Sequence, residues 1–412
     1  MSAPRRKVFL ACQVFYPDAQ STSQLFTELL LRLGQGGEFD LTVICGYPSA
    51  LRVHDGPVPR RETWNGIHII RCGLRVDVKR SFFARLISYA SFLAQASWKL
   101  LWSPRQALIV GVTNPPFMGI VLWLVACFRP LRYHYYLLDL HPDGLFITGT
   151  MNPGSLAARL WMWLNGLAYR RAEKLLSLGR DMSQLASRRY RVPAERIVFV
   201  PHWSIAAPQR PLAFEESLAE ELGLAGKFVV QYSGNMGLWH DMQTFVRAAA
   251  ALRSDDGIRF LFIGGGRARA GAEALARELN ATNILWRDFA PKAQLERSLA
   301  CCHVSLVSML AGLEGIAVPC KIYGILASGR AIIAQVPAGS EVATVVQEED
   351  CGLVVAPGGA DQVVAAILRL RNDPACAARM GARGFAAYHA KYTLEKAVEA
   401  FRELWRAAAK PV

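Results

Sequence analysis

No C-x-x-C pair, no apolar stretch of membrane-spanning length and no low-complexity segment occurs in this 412-residue sequence, and each absence removes a class of protein. The nine cysteines, at 12, 45, 72, 127, 301, 302, 320, 351 and 376, are odd in number and scattered. Neither a disulfide framework nor a zinc site has support, and a reducing cytoplasm is the natural compartment. Cys301, Cys302 and His303 adjoin, but neighbours on a regular element point to different faces, so the thiols read as core residues. The longest apolar run, Phe117 to Phe128, falls short of the ~20 residues that span a bilayer. Arg5, Arg6 and Lys7 precede only the short run Val8 to Cys12, which reads as a first strand in place of a signal peptide. At 52% hydrophobic and 19% charged residues, with 33 glycines and 21 prolines, the chain is excluded from the disordered, collagenous and coiled-coil classes and is long enough for two domains.

Acidic residues are the scarce charge, and the shortage is local. Residues 1–205 hold 25 Lys plus Arg against 12 Asp plus Glu, a balance of +13, whereas the remainder holds 22 against 21, a balance of +1. Such asymmetry points to an anionic surface or substrate on the amino-terminal half. Membrane lipid is favoured over nucleic acid, because no recognition motif accompanies the charge. Segment 80–102 also places Phe83, Leu86, Ile87, Ala90, Leu93, Ala94 and Leu101 at helical spacing. Trp98 and Trp102 stand near its end, and Arg80, Arg85, Lys99 and Arg105 lie along or beside it. A helix laid on the core with a solvated polar side fits the same pattern, so both readings stand.

Strands alternate with helices along the chain. Residues 7–14, 41–45, 107–113, 132–140, 174–179 and 196–201 read as strands, with a helix at 25–33 that stops at Gly34. A polar stretch at 204–224 reads as a linker, after which the pattern restarts. Strands are predicted at 227–234, 258–266, 283–289, 304–310, 331–336 and 351–355, and helices at 241–252, 268–279, 293–300, 318–327, 360–370 and 393–408. This alternation predicts an α/β fold: two doubly wound, Rossmann-like domains with parallel sheets. The expected divisions are 1–205, 206–390 and a terminal helix over 391–412. Open α/β sheets bind ligands outside the carboxyl ends of their strands, so two such domains facing a central cleft would place the site there.

Four strand-to-helix turns in the second half carry the candidate chemistry. YSGNMGLWHD supplies Gly234, Asn235, Gly237 and His240; GGRARAG supplies Gly265 and Arg267; WRDF supplies Phe289. GLEGIAVPCKIYGILASGR supplies Glu314, Val318 and Lys321, with Pro319 suited to a first helical turn. Glycines let the backbone approach a ligand as the next helix begins, and helix amides would face an anion, most economically phosphate. Taken one at a time, these glycine clusters fit structural β-α connections equally well.

Taken together, FYPDAQSTSQ (15–24), VTNPPFMG (112–119), LLDLHPDG (137–144), VPHW (200–203), YSGNMGLWHD (232–241), FIGGG (262–266), GLEGIAVPCKIYGILASGR (312–330) and GSEVATVV (339–346) resemble the GT-B glycosyltransferases of family 4. The similarity is to the branch that builds bacterial exopolysaccharide and O-antigen, and it covers nearly the whole chain. It implies a terminal helix that packs back on the first domain. It also implies a nucleotide-diphosphate sugar in the second domain, UDP in preference to GDP, and an acceptor in the first. Transfer would retain anomeric configuration, with no cofactor and no metal. The acceptor would be a lipid-linked saccharide, reached by peripheral attachment to the anionic cytoplasmic face of the cell membrane.

Two positions depart from the family pattern. Where members carry Arg after the first Gly of the second domain and Lys five residues later, this chain has Asn235 and His240. Diphosphate charge would then fall to Arg267, Lys321 and the amides around Gly234–Gly237. The second member of a Glu pair separated by seven is Gly324 here, and Glu314 lies two residues before the usual first position. Glu314 would bind donor-sugar hydroxyls. Asp139, His141 and Asp143 follow a strand end and would face the cleft to orient donor or acceptor, or else cap a helix or turn. Phe289 and Trp286 would flank the nucleotide base, or else fill an aromatic core. Other readings are a catalytically weak homologue that regulates a partner, a sugar-nucleotide epimerase and a nucleic-acid binder.

Overall fold

The computed structural model describes residues 5–48, 56, 58–75 and 82–408, and the chain divides into two compact units. Unit 1 comprises residues 1–146, 151–201 and 394–412; unit 2 comprises 147–150 and 202–393.

Unit 1 contains β1 (Arg6–Ala11), α1 (Ser21–Gln35), β2 (Phe39–Cys45), β3 (Arg61–Trp64), β4 (Ile67–Arg71), α2 (Phe82–Leu101), β5 (Leu108–Val112), α3 (Met118–Phe128), β6 (Arg132–Leu137), α4 (Asp143–Ile147), α5 (Leu156–Arg171), β7 (Lys174–Ser177), α6 (Arg180–Tyr190) and β8 (Ile197–Phe199). The strand order is β3-β4-β2-β1-β5-β6-β7-β8, with Val8 opposite both Leu41 and Leu108. Every residue of β5 is buried, as the two-sided cover of a parallel sheet requires. The sheet is not wholly parallel as expected. Trp64 pairs with Ile67 in an antiparallel β3–β4 edge across Asn65 and Gly66, both at positive φ (48° and 78°). Asn-Gly is the dipeptide that a two-residue hairpin favours, so this strand pair was signalled in the sequence although the strand reading above omits it.

Unit 2 contains α7 (Glu216–Glu221), β9 (Phe228–Ser233), α8 (Met242–Ala251), β10 (Ile258–Ile263), α9 (Arg269–Glu278), β11 (Ile284–Arg287), α10 (Leu295–Ala300), β12 (Val304–Ser308), α11 (Lys321–Ser328), β13 (Ala331–Gln335), α12 (Glu341–Glu348), β14 (Gly352–Val355), α13 (Ala360–Asn372) and α14 (Pro374–Lys391). Its sheet is parallel in the order β11-β10-β9-β12-β13-β14, so the strand order runs one way from β9 to β11 and the other way from β12 to β14. That switch point is where an open sheet offers a ligand crevice.

Two expectations fail in unit 2. The stretch 204–224 is not a free linker: Ala219 and Leu224 are buried with Val229, Leu261 and Cys301. A few apolar residues spaced among glutamates are enough to seat α7. The unpredicted α14 starts with Asp373 capping the Cys376 amide at 2.8 Å and Pro374 in its first turn. Its glycines resemble loop punctuation but serve packing, since a Cβ on Gly381 would overlap the Gly329 carbonyl. His303, read beside two core thiols, lies between Phe214 and Phe228 and accepts the Val229 amide at 3.0 Å.

The terminal helix α15 (Leu394–Ala408) belongs to unit 1 and packs beside α1. Trp405 stands edge-on to Phe39 at 5.5 Å, Phe401 packs on Tyr136 at 5.6 Å, and Arg406 makes two 2.6 Å bonds to Glu38. The return of this helix to the first domain matches expectation. Helices α2, α3, α5 and α6 pack side by side in that order as a separate layer. Among the described residues, no helix is long and apolar enough to cross a membrane.

Candidate active site

At the switch point of unit 2, two glycine turns interlock. The Gly234 amide donates to Ile263 (2.9 Å), the Met236 amide to Gly265 (2.7 Å) and the Ala268 amide to Met236 (2.9 Å). Gly234, Gly264 and Gly266 have φ of 129°, 128° and 136°, a region closed to most side chains. A Cβ on Gly264 would overlap the Gly234 carbonyl, and one on Gly266 would overlap that of Met236. Asn235 is exposed, with its amide folded between Gly237 and Gly266.

Lys321 opens α11 and reaches back to this turn. Its ammonium is buried, has no hydrogen-bond partner among the described residues, and lies 3.6 Å over the Tyr232 ring. A Cβ on Gly234 would sit 3.4 Å from Nζ, so the charge lies against open glycine backbone. Burial pushes the lysine pKa well below its ordinary value. Burying an ammonium costs free energy that a ring face alone offsets only in part. His240 Nδ1 lies 2.7 Å from the Ser308 carbonyl, an oxygen that only accepts, so Nδ1 carries the proton and Nε2 is left as an acceptor. Burial, and then the nearby Lys321, push the His240 pKa down to about 3. At neutral pH it is therefore uncharged and does not take the place of the cation that the family pattern leads one to expect there.

The supports beneath the site were missed by sequence reasoning. Ser308 Oγ accepts the Asp241 amide at 2.7 Å and donates to Gln335 at 2.8 Å; Gln335 Nε2 donates to Asp241 at 3.0 Å. Asp241 also caps α8 through Thr244. A signal existed: Ser308 and Gln335 are polar residues closing the mostly apolar strands β12 and β13, at the carboxyl ends where ligands bind. Tyr232, the platform for Lys321, reads simply as a strand aromatic.

The remaining candidates of unit 2 surround these turns. Glu314 is half-buried and Val318 buried, both on the loop from β12 to α11. Arg267 is exposed and has no ion-pair partner among the described residues, whereas Arg269 holds the turn by bonding Gly264 O (2.7 Å), Asp288 and Glu273. Phe289 is 60% exposed and its ring lies over Gly265, where a Cβ would come within 3.4 Å. Trp286 does not join it: the indole packs edge-on to Phe262 at 5.0 Å against the core, which is the aromatic-core alternative for that residue.

In unit 1 the loop after β6 carries Asp139, His141 and Asp143, and the structure separates them. Asp139 is half-buried; desolvation lifts its carboxyl pKa to about 6. Its amide and that of Leu138 turn toward Thr113 Oγ1 (3.4 and 2.9 Å). Burial lowers the His141 pKa to about 4, and the His141 carbonyl accepts Asn165 Nδ2 at 2.5 Å. Asp143 is not a cleft-facing group. It is 1% exposed, ion-paired with Arg189 and bonded by the Tyr190 hydroxyl at 3.0 Å. It is the first residue of α4 and ties that helix to α6 through side chains, a structural anchor in place of a reactive group.

Comparison with known proteins agrees with this geometry. Residues 24–203 match the glycosyl transferase 4-like domain, and residues 227–373 match glycosyl transferases group 1. A Pseudomonas aeruginosa protein named as a glycosyltransferase, WbjE, is 25% identical over 67% of this chain and 65% of its own length. An Escherichia coli K12 protein named as a colanic acid biosynthesis glycosyl transferase, WcaI, is 26% identical over 64% of this chain and 66% of its own. The chain thus spans slightly under two thirds of each of these relatives. A sucrose-phosphate synthase from Thermosynechococcus elongatus has a similar fold, with TM-score 0.71 and 16% identity over 98% of this chain and 99% of that one. So does Anabaena HepE, in a structure with UDP-glucose, with TM-score 0.70 and 13% identity over 98% and 100%. With a matching domain in each half and the fold throughout, the chain belongs to the GT-B glycosyltransferases of family 4.

Proposed function

We propose that this protein moves a sugar from a nucleoside-diphosphate donor, bound in unit 2, to a lipid-linked saccharide acceptor in bacterial surface-polysaccharide synthesis, with retention of anomeric configuration. The observation that carries the reading is the buried, unpartnered Lys321 ammonium against the Gly234 turn at the sheet's switch point. A diphosphate there gives Lys321 its counter-charge, aided by Arg267 and by the amides of Asn235 and Gly237, those of Gly234 and Met236 being already bonded within the turns. Phe289 stacks on the base, and Glu314 and the bare Nε2 of His240 accept donor-sugar hydroxyls. UDP is the nucleotide of choice because HepE, which shares the fold, holds UDP-glucose. The name of WcaI favours surface polysaccharide as the product class.

Chemistry in this reading asks little covalent work of the protein. As the bond from sugar to diphosphate breaks, negative charge grows on the leaving phosphate beside Lys321, and positive charge grows at the anomeric carbon. The acceptor hydroxyl passes its proton to a donor phosphate oxygen on the face the diphosphate leaves, which retains configuration. Neither a cofactor nor a metal enters this scheme. In unit 1, Asp139 and the uncharged His141 position the acceptor.

A thermal-shift panel of nucleotide sugars, followed by transfer assays with lipid-linked acceptors from membrane extracts and NMR of the product anomer, tests the proposal. Donor binding with transfer and retention supports it; an inverted product removes the retaining step, and absence of donor binding removes the whole reading. Binding without transfer points to the regulatory homologue, which Asn235 and neutral His240 favour. Glu314→Ala should lower turnover far more than donor affinity; equal turnover would take Glu314 out of the site.

A further inference from the structure

We infer that the outer side of the α2–α3–α5 layer of unit 1 is one continuous docking surface for an anionic lipid bilayer. The starting point is a helix with two apolar sides. On α2, Phe92, Ala96 and Leu100 point inward and are at most 1% exposed, so the core-facing stripe is not the one that sequence spacing picks out. Phe83, Leu86, Ile87 and Trp98 of that same helix are 49–72% exposed. Arg80 lies outside the described residues, as does the side chain of Arg85.

The neighbouring helices extend the patch. Between Met118 and Phe128, α3 has no charged residue, yet Leu124 and Phe128 are exposed, the latter 81%. On α5, Leu156, Leu160 and Trp163 recur at helical spacing with 82%, 55% and 57% exposure. A helix apolar all round is normally buried, and nothing among the described residues of unit 1 covers these outer sides. Arg129 ties the end of α3 to that of α2, because its guanidinium donates to the carbonyls of Leu101 (2.6 Å) and Ser103 (2.7 Å).

Charge selects the occupant. Helices α2, α3 and α5 contain no Asp or Glu, but they do contain Arg85, Lys99, Arg159, Arg170 and Arg171. Helix α15 differs, since it sets Glu395, Glu399 and Glu403 against Lys396, Arg402 and Arg406. Beyond Phe128, Arg171 and Arg196 line an open cavity of 340 Å³ with Arg132, whose charge is matched by Glu173. Exposed rings (Trp98, Trp102, Phe128) and exposed cations (Arg159, Arg171) on one layer are the combination that suits a headgroup boundary, apolar rings inward and guanidinium at phosphate. A second copy of this chain would set like charges against each other across an interface without acids. A bilayer supplies both the apolar interior and the anions. The inference gives the proposed lipid-linked acceptor a place to be met and rests on that reading only for its purpose. Vesicle binding is measured without donor or acceptor, so either idea can fail alone.

The test is co-sedimentation of the whole protein with phosphatidylcholine vesicles, with or without a quarter of phosphatidylglycerol. The protein should bind the anionic vesicles at low ionic strength and be released near 0.5 M salt, where the Debye length shrinks to about 4 Å. Leu160→Ser with Trp163→Ser on α5, and separately Leu124→Ser with Phe128→Ser on α3, should each weaken binding about tenfold or more. Arg159→Glu, a surface change that leaves packing intact, should weaken only the anionic binding. Circular dichroism and an unchanged donor-induced thermal shift establish that the variants are folded. Absence of wild-type binding, or α3 and α5 variants that bind like wild type, overturns the surface. So does a lipid-free dimer that the same variants dissociate, which would assign this face to a second copy.

Discussion

The cation that stands out in unit 2 is a buried one without an ion pair, whereas unit 1 carries an excess of exposed ones. Residues 206–412 are nearly balanced, at +1, yet unit 2 buries the ammonium of Lys321 with no counter-ion among the described residues. Residues 1–205 carry +13, and Arg105, Arg159 and Arg171 of unit 1 are exposed. The buried charge has few ways to lower its energy, so it selects one anion at one point. Exposed charges are screened within about 10 Å and select an extended surface by their number. A single cation can thus define a substrate site while a large excess defines only an orientation.

The largest expected effect breaks this contrast at its strong end. Lys321→Met should weaken donor binding by roughly 10- to 150-fold, the loss of a charge-assisted bond of about 1.5–3 kcal/mol, while raising the Tm of the donor-free protein. Calorimetry and thermal melts check both, and unchanged affinity or a lowered Tm would remove the orphan-charge argument. The pH dependence follows with its sign. The lysine pKa is depressed in the folded protein, so the unfolded chain binds more protons, and stability rises as pH climbs toward the free-lysine value. Bound diphosphate needs the ammonium, so donor affinity should fall over the same range. Both slopes should flatten in Lys321→Met.

A middle-sized effect compares the units in acid. Burial lowers His134 and His141 of unit 1 to about 4, and His202 and His240 of unit 2 to about 3. All four are neutral when folded and protonate when unfolded, so stability is lost as pH falls below about 6.5, by up to about 1.4 kcal/mol per histidine per unit. Asp139 acts oppositely: raised to about 6, it favours the folded state in acid, and that contribution disappears as pH rises through 6. Asp139→Asn should therefore steepen the acid loss in urea titrations from pH 7 to 4. The smallest effect lies at the weak end of the contrast, where Arg159→Ala should move Tm by no more than about 2 °C. A larger shift would show that unit 1 uses this exposed cation for folding.

Much of this site was visible in the chain. The strand-glycine-helix turns at 232–241 and 262–268 and the helix start at Lys321 are local patterns, and the structure brings them together at the switch point. The trio Asp139, His141 and Asp143 was less legible. The three lie within five positions, but Asp143 is taken out of reach by Arg189 and by Tyr190, 47 residues away. The hairpin at Asn65-Gly66 and the closing residues Ser308 and Gln335 show that some omissions were failures to use a signal rather than missing signals.

Strand-helix alternation, the glycines that must take positive φ, and the uneven distribution of acid were set by residue identity and by neighbours a few positions apart, so they could be read from one chain. Tertiary structure decided which side of α2 faces outward, that Asp143 is an anchor, and that the Lys321 ammonium is buried over Tyr232 with no hydrogen-bond partner among the described residues. Burial is the reason for the difference. Whether a charge or an apolar face lies in water depends on which distant elements cover it, and short-range propensity carries no record of them.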